Sequence, residues 1–409
     1  MTRFHHFVLG LIAFATLLMG CKDDDANVPK MTKAKHTVVV YIAAENNLRE
    51  SLTKDINEML EGARRLDDSC RTVIFIDDYE KPRIYAVDNT TQYTDFDMLA
   101  PDYEFPEELN SCSKDGLRIV MQYIRSNYLS DSYGLVMCSH GTGWLPTTFA
   151  TSEAAVRAGV RRSFGVDNDG KGTYSQMSIA DLADVLATFP HLDFIMFDAC
   201  YMQSVEVAYA LRKCADHIIA TPAETPSNGA PYDDILPLLF ERPADYAKVI
   251  QIYHDEYIDW RSDYHDCGVV FSDIKTSELD NLYSVTRRMF QVHQSEWNTA
   301  SKTGVTRYLE LPKSVMPVTW NYNITFYDIK SLMRAVLTDD EYSEWTVAAD
   351  AAIGAYCLAP YVYSAELIPT YPIYDNSCGV AMSLPPSLEE SLPGTMVIEA
   401  YEALGWKME

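Results

Sequence analysis

The chain has 409 residues, 47% of them hydrophobic and 22% charged, which suits one large folded core with additions. Its formal net charge of −26 repels a phosphate backbone and excludes nucleic acid as a partner. The same acidity is compatible with basic substrates or with an ordinary solvated acidic surface.

The first residues are processing signals. Arg3, His5 and His6 precede the apolar run from Phe7 to Met19, too short for a bilayer span and suited to a signal peptide over 1–20. Leu18-Met19-Gly20-Cys21 resembles a bacterial lipobox, in which cleavage before the cysteine leaves Cys21 as the lipid-carrying first residue. Lys22, Asp23, Asp24 and Asp25 then resemble the acidic tag that sends lipoproteins of some Gram-negative anaerobes to the outer cell face. The expectation is an outer-membrane lipoprotein exposed at the cell surface, on a polar tether over 21–35. Nine cysteines are present. Setting aside Cys21 and one catalytic thiol leaves an odd number, which forbids full pairing. Cys138 and Cys357 sit in apolar runs, as buried free thiols do.

From residue 36 strands alternate with helices. Val38–Ala43 is a continuous apolar run, as expected of a strand covered on both faces. Asn46-Asn47 breaks it, and Leu52, Ile56, Met59, Leu60 and Ala63 recur at helical spacing. Thr72–Ile76 and Arg83–Val87 read as strands, 88–113 as irregular, and Leu117, Val120, Met121, Ile124 and Tyr128 as a helix. Gly134–Cys138 is a buried strand running into Ser139-His140-Gly141, and Leu192–Phe197 one running into Asp198-Ala199-Cys200. A helix stripe follows from Met202 to Leu211, then a short strand at Ile218–Thr221. This alternation predicts an α/β fold with a mostly parallel sheet and helices on both faces, over 36–240. Functional groups of such sheets gather at the carboxyl ends of strands, where His140 and Cys200 both stand. Residues 241–409 change character, with helices near 245–260 and 276–297. The matching segments Cys267–Ser272 and Cys378–Ser383 read as strands that extend the sheet or build a mixed C-terminal subdomain.

A cysteine peptidase needs a nucleophilic thiolate, a histidine to serve the leaving amine, and donors for the oxyanion. Cys200 before a helix is placed to have its thiol acidified by the helix N-terminus, and Gly141 lets backbone approach a carbonyl closely. Ser139-His140-Gly141-Thr142-Gly143-Trp144 resembles the His-Gly-x-Gly-Trp motif of clostripain-like peptidases. Asp198-Ala199-Cys200-Tyr201-Met202-Gln203-Ser204 and the residues to Tyr209 are similar to that family's nucleophile segment. Tyr41–Leu48 is similar to its first strand and loop, with Glu45 where the family more often has Asp.

The resemblance implies a caspase-like fold, shared with gingipain and legumain, and cleavage of peptide bonds after Arg or Lys. It makes Asp198 the acidic floor of the primary specificity pocket, where a carboxylate selects a guanidinium. The competing reading of Asp198 is a cap on the following helix. Glu224 is a candidate second wall, and the amides of Gly141 and Cys200 are the expected oxyanion donors. Relatives often cut themselves between His and Cys, which directs attention to Arg157, Arg161 and Arg162; a solvated basic patch is the alternative.

No cofactor is expected. Some relatives require calcium, but Asp167-Asn168-Asp169-Gly170 does not fit an EF-hand, since Gly165 and Gln176 would fall where acidic ligands are needed. His254, Asp255, Glu256, Asp259 and His265 lack zinc spacing and read as a polar helix face. The expected partners are peptide substrates with Arg or Lys at the cleavage site, and a membrane through Cys21. The alternative function is a catalytically silent surface lipoprotein that binds on the same fold; the presence of both His140 and Cys200 tells against it.

Overall fold

Strand β1 (Ala34–Ala43) is followed by helix α1 (Arg49–Ala63), β2 (Cys70–Asp77), β3 (Arg83–Val87), a 3-10 turn at Phe96–Met98, β4 (Tyr103–Glu104) and α2 (Lys114–Asn127). Next come β5 (Ser130–Cys138), the hairpin β6 (Phe164–Asn168) and β7 (Tyr174–Met177), α3 (Ile179–Leu186), β8 (Leu192–Asp198), α4 (Val205–Leu211) and β9 (Ala215–Ala220). The chain continues through α5 (Tyr232–Leu239), α6 (Tyr246–Glu256), β10 (Phe271–Lys275), α7 (Leu279–Val292), β11 (Arg307–Leu311) and β12 (Ile324–Asp328). It ends in α8 (Ile329–Val336), α9 (Asp339–Ala352), β13 (Ile353–Cys357) and β14 (Ala381–Ser383). The structure is a computed structural model and describes residues 32–145, 164–168, 174–259, 267–293, 296–297, 299–311, 324–364 and 370–384. Cys21, the tether's first part, Arg157, Arg161, Arg162, Asp169, Gly170 and His265 lie outside them.

Nine strands form one sheet in the order β13-β10-β9-β8-β5-β1-β2-β3-β4. The five from β9 to β2 run parallel, while β3 and β4 at one edge and β10 and β13 at the other are antiparallel. Alternation along the strands explains the uninterrupted apolar runs. Val39, Tyr41, Leu135 and Met137 pack on one face with Leu117, Leu182 and Trp345, and Val38, Val40, Ile42 and Val136 on the other with Ile56, Ile235 and Tyr253. The chain passes from β1 to β2 on one side and returns to β5 on the other, so the switch point lies between β1 and β5.

Three expectations are refined. The stretch 88–113 contains β4 and the 3-10 turn, and His254 is buried, its Nδ1 2.9 Å from the Val269 carbonyl oxygen, rather than part of a polar face. The segment at Cys378 does not reach the large sheet. It ends in β14, which pairs with β12 in a three-stranded sheet with β11. That small sheet is tied to the nucleophile region: the Ala381 amide donates to Gln203 O at 2.9 Å, and Ser383 donates twice to the Glu206 carboxylate at 3.0 and 2.9 Å.

Buried carboxyls crowd the carboxyl ends of β1 and β2. Asp167 accepts from the Ser111 amide at 2.8 Å and Asp77 from the same amide at 3.3 Å, with Glu45 hydrogen-bonded to Asp167. Burial first, and then the neighbouring acids, push Glu45 up to about 7 and Asp77 up to about 8. Between the unfolded carboxyl range and these values the folded chain holds more protons than the unfolded one. The stabilisation is therefore complete at low pH and lost as pH rises through about 7 to 8. Melting temperature should fall as pH is raised from 5 to 8.5, and Asp77→Asn should flatten that slope; a profile that rises over this window, or a variant with an unchanged slope, would contradict the assignment.

Candidate active site

Strands β5 and β8 pair in parallel with Cys138 opposite Asp198, and the Ser139 amide donates to the Asp198 carbonyl at 3.4 Å. His140 and Cys200 each stand two residues beyond that rung, so equal offsets on neighbouring strands bring them to the same edge of the sheet. Polar bonds hold this edge. Ser139 Oγ donates to Ala43 O at 2.6 Å, and the Asn46 carboxamide donates to Ala43 O and Val166 O, both at 2.9 Å. The ends of β1, β5 and β6 are thereby fixed together.

The His140 ring meets the side chain of Asn47, Nε2 to Oδ1 at 2.8 Å. An amide oxygen there is matched by a ring N–H on Nε2. Gly141 lies against the nucleophile segment: a Cβ there would be 2.4 Å from the Cys200 carbonyl oxygen and 3.0 Å from Ala199 Cβ. Only glycine allows that approach. On the Asn47 side opens a polar cleft of about 1020 Å³, with Asn46, Asn47, Asp78, Tyr79 and Arg83 in its lining.

Cys200 sits in a turn, and Tyr201 after it has φ +61°. The backbone then runs beside the continuation of β9, with the Tyr201 amide donating to Ala223 O and the Gln203 amide to Thr221 O, both at 2.8 Å. Helix α4 begins only at Val205 and is capped by Ser204, whose side chain accepts from the Val207 amide. Two expectations are corrected here. Cys200 does not abut a helix N-terminus, because the amides that would open a helix at 201 and 203 bond the sheet side instead. For the same reason Asp198 is not a helix cap.

Asp198 is buried on the α5–α6 face, where alternation along β8 aims it with Phe194 and Met196. Its carboxylate accepts from the Ala230 amide at 3.0 Å, Tyr232 Oη at 2.9 Å and Tyr253 Oη at 2.7 Å. Burial still holds it above the usual carboxylate range, against those three bonds. The loop after β9 borders both groups: the Thr225 amide lies 3.5 Å from Cys200 Sγ, and the Ala230 amide reaches Asp198. Glu224, on the same loop, accepts from Tyr201 Oη at 2.9 Å and stands beside the thiol rather than beside the Asp198 carboxylate.

The half-buried thiol of Cys200 is pushed up to about 12, first by burial, then by the Glu224 and Asp198 charges, with the Thr225 bonds opposing. Such a thiol keeps its proton at neutral pH, and the His140 ring stands at the same edge of the sheet. The sequence reading missed Asn47 as the partner of His140, Thr225 at the sulfur, and Tyr232 and Tyr253 at Asp198. The Asn46-Asn47 pair at the end of an apolar strand was the one visible signal among these. None of the eight cysteines among the described residues is in a disulfide, and no helix among them is long and apolar enough to cross a membrane.

Comparison with known proteins gives a consistent picture. The profile of the clostripain family matches residues 40–353. Clostripain from Hathewaya histolytica is 28% identical over a match that takes in 50% of this chain and 42% of that protein. This chain thus spans less than half of that relative's length. A secreted cysteine protease from Bacteroides thetaiotaomicron, solved with an irreversible peptide inhibitor, is 28% identical with a TM-score of 0.70, over 91% of this chain and 100% of that one. An inactive zymogen protease from Parabacteroides distasonis is 27% identical with a TM-score of 0.70, over 92% of this chain and 98% of that one.

The electrostatics at the sulfur give a direct expectation. Glu224→Gln removes the charge that does most to hold the thiol protonated, so alkylation of Cys200 by iodoacetamide should quicken severalfold at pH 8, with its pH midpoint moved down. An unchanged or slower rate would contradict the role given to Glu224.

Proposed function

The chain belongs to the clostripain family of cysteine peptidases, and from that premise we propose that it is an endopeptidase cutting peptide bonds after Arg or Lys through Cys200 and His140. The observation that carries this reading is the shared offset of the two residues beyond the Cys138–Asp198 rung. His140 takes the thiol proton on Nδ1, its Nε2 being engaged by Asn47. Cys200 Sγ attacks the scissile carbonyl carbon, and the oxyanion is met by the amides of Gly141 and Cys200. His140 then gives the proton to the leaving amine, and water, deprotonated by the same ring, releases the acyl group. Asp198 supplies the charge that selects the basic side chain. A relative is an inactive zymogen, and self-processing at Arg157, Arg161 or Arg162 is the corresponding proposal for this chain.

Three substitutions test the chemistry. Cys200→Ala and His140→Ala should each abolish turnover of an arginyl substrate while leaving the melting temperature close to wild type; retained activity in either would remove that residue from the dyad. Asp198→Asn keeps the shape and removes the charge, and losing one partner of a buried charge pair costs roughly 3–5 kcal/mol, so arginyl turnover should fall by about two to four orders of magnitude. Neutral substrates should lose far less. An unchanged ratio of kcat/KM between arginyl and neutral substrates would refute the pocket assignment while leaving the dyad intact.

The proposed location is the outer membrane, through a lipid on Cys21. Cys21→Ala should move the protein from the membrane to the soluble fraction. Replacing Asp23, Asp24 and Asp25 with Ala should keep the anchor and reduce cleavage by protease added to intact cells; equal accessibility would sink the surface-tag reading.

A further inference from the structure

Asp55 projects from the buried stripe of α1, among Leu52, Ile56 and Met59. It is fully buried, at 0% exposure, and neither carboxylate oxygen has a hydrogen-bond partner. Among the described residues another fully buried carboxylate is treated differently. Asp328, also at 0%, accepts from Tyr308 Oη, the Cys378 and Gly379 amides and the Ser331 amide, at 2.8 to 3.0 Å. An orphaned carboxyl is among the costliest groups to bury, and an apolar side chain would serve the α1 stripe better. What distinguishes Asp55 is its neighbour. A Cβ built on Gly229 would fall 2.6 Å from Asp55 Oδ2 and 3.0 Å from Asp198 Oδ2, so the two carboxyls converge on one Cα. Gly229 has φ +69° and belongs to the loop that touches the thiol at Thr225 and Asp198 at Ala230.

We propose that Asp55 is a second carboxylate of the primary specificity pocket, engaging the same substrate guanidinium as Asp198. The proposal rests on the reading that Asp198 forms the floor of that pocket. Within the pair the donors are divided unequally: Asp198 takes three from the protein, and Asp55 takes none. A guanidinium carries five N–H donors in a planar fork, enough to add to Asp198 and satisfy Asp55 at once. Burial, followed by the Asp198 charge, pushes Asp55 up to about 10. Asp55 is therefore held as a neutral acid, and an arriving cation favours its ionised form. Glu224, engaged by Tyr201 beside the sulfur, is not required for this role.

The test compares matched peptide substrates carrying arginine or citrulline, its neutral isostere, at the cleavage position. The full-length protein is used as wild type, Asp55→Asn and Asp198→Asn, with active sites titrated by an irreversible inhibitor. The arginine-to-citrulline ratio of kcat/KM should fall roughly ten- to a hundredfold in Asp55→Asn, the loss expected for a hydrogen bond to a charged group. Its melting temperature should stay level or rise, because an unpartnered acid is removed. Asp55→Leu, which fills the volume without polarity, should show the same loss of selectivity and serves if the Asn variant does not fold. A collapsed ratio in Asp198→Asn with an unchanged ratio in both Asp55 variants overturns the assignment of Asp55 alone. An unchanged ratio in Asp198→Asn as well overturns the pocket reading beneath it. A lowered melting temperature with intact selectivity would make Asp55 structural and also overturn the proposal.

Discussion

The register between β5 and β8 is the constraint on which the rest depends. With Cys138 opposite Asp198, the chain needs only two more residues on each strand to bring an imidazole and a thiol to one edge. A slip of one residue would turn Asp198 to the opposite face of the sheet and separate the pair. The Ser139 amide continues that register by bonding Asp198 O, the Ser139 and Asn46 side chains tie the ends of β5, β1 and β6 together, and Gly141 permits the close backbone approach that follows. Precision at the site thus comes from a ladder and its polar clasps, which fix the short segments just beyond the strand ends.

Around this edge the protein accumulates buried acid. Glu45, Asp77 and Asp167 crowd one side of the site, and Asp55 and Asp198 lie beneath it, each held above its ordinary range chiefly by burial. Such groups lower stability and are hard to explain as packing. Under the proposed specificity for basic side chains, Asp55 and Asp198 gain a reason, since a carboxyl stripped of water discriminates charge more sharply than a surface one. The thiol follows the same logic: burial and the Glu224 charge keep it protonated, so in the proposed dyad it relies on His140 rather than on its own acidity.

Much of this was legible in the sequence because the main signals are local. Continuous apolar runs such as Val38–Ala43 and Leu192–Phe197 announce strands covered on both faces, and a polar word at the end of each announces the functional edge. What the local pattern missed was set by partners distant in the chain. The residues after Cys200 have helical spacing, yet their amides bond Thr221 and Ala223 across the sheet, so the helix starts three residues later, at Val205 rather than Met202. Tyr232 and Tyr253 looked like ordinary core aromatics, and only the packing of α5 and α6 aims their hydroxyls at Asp198. Asp55 was visible in principle. It occupies a position that the stripe of Leu52, Ile56 and Met59 marks as buried, and a carboxyl in such a stripe is itself a signal.

The central claim is that Cys200 is the nucleophile of a peptidase directed to basic side chains. The most direct measurement is covalent labelling of the full-length protein by an arginyl chloromethyl ketone, followed by peptide mapping, beside a reagent carrying a neutral side chain. The account predicts a single adduct on Cys200, formed far faster with the arginyl reagent. No adduct on Cys200, or equal rates with both reagents, would contradict it.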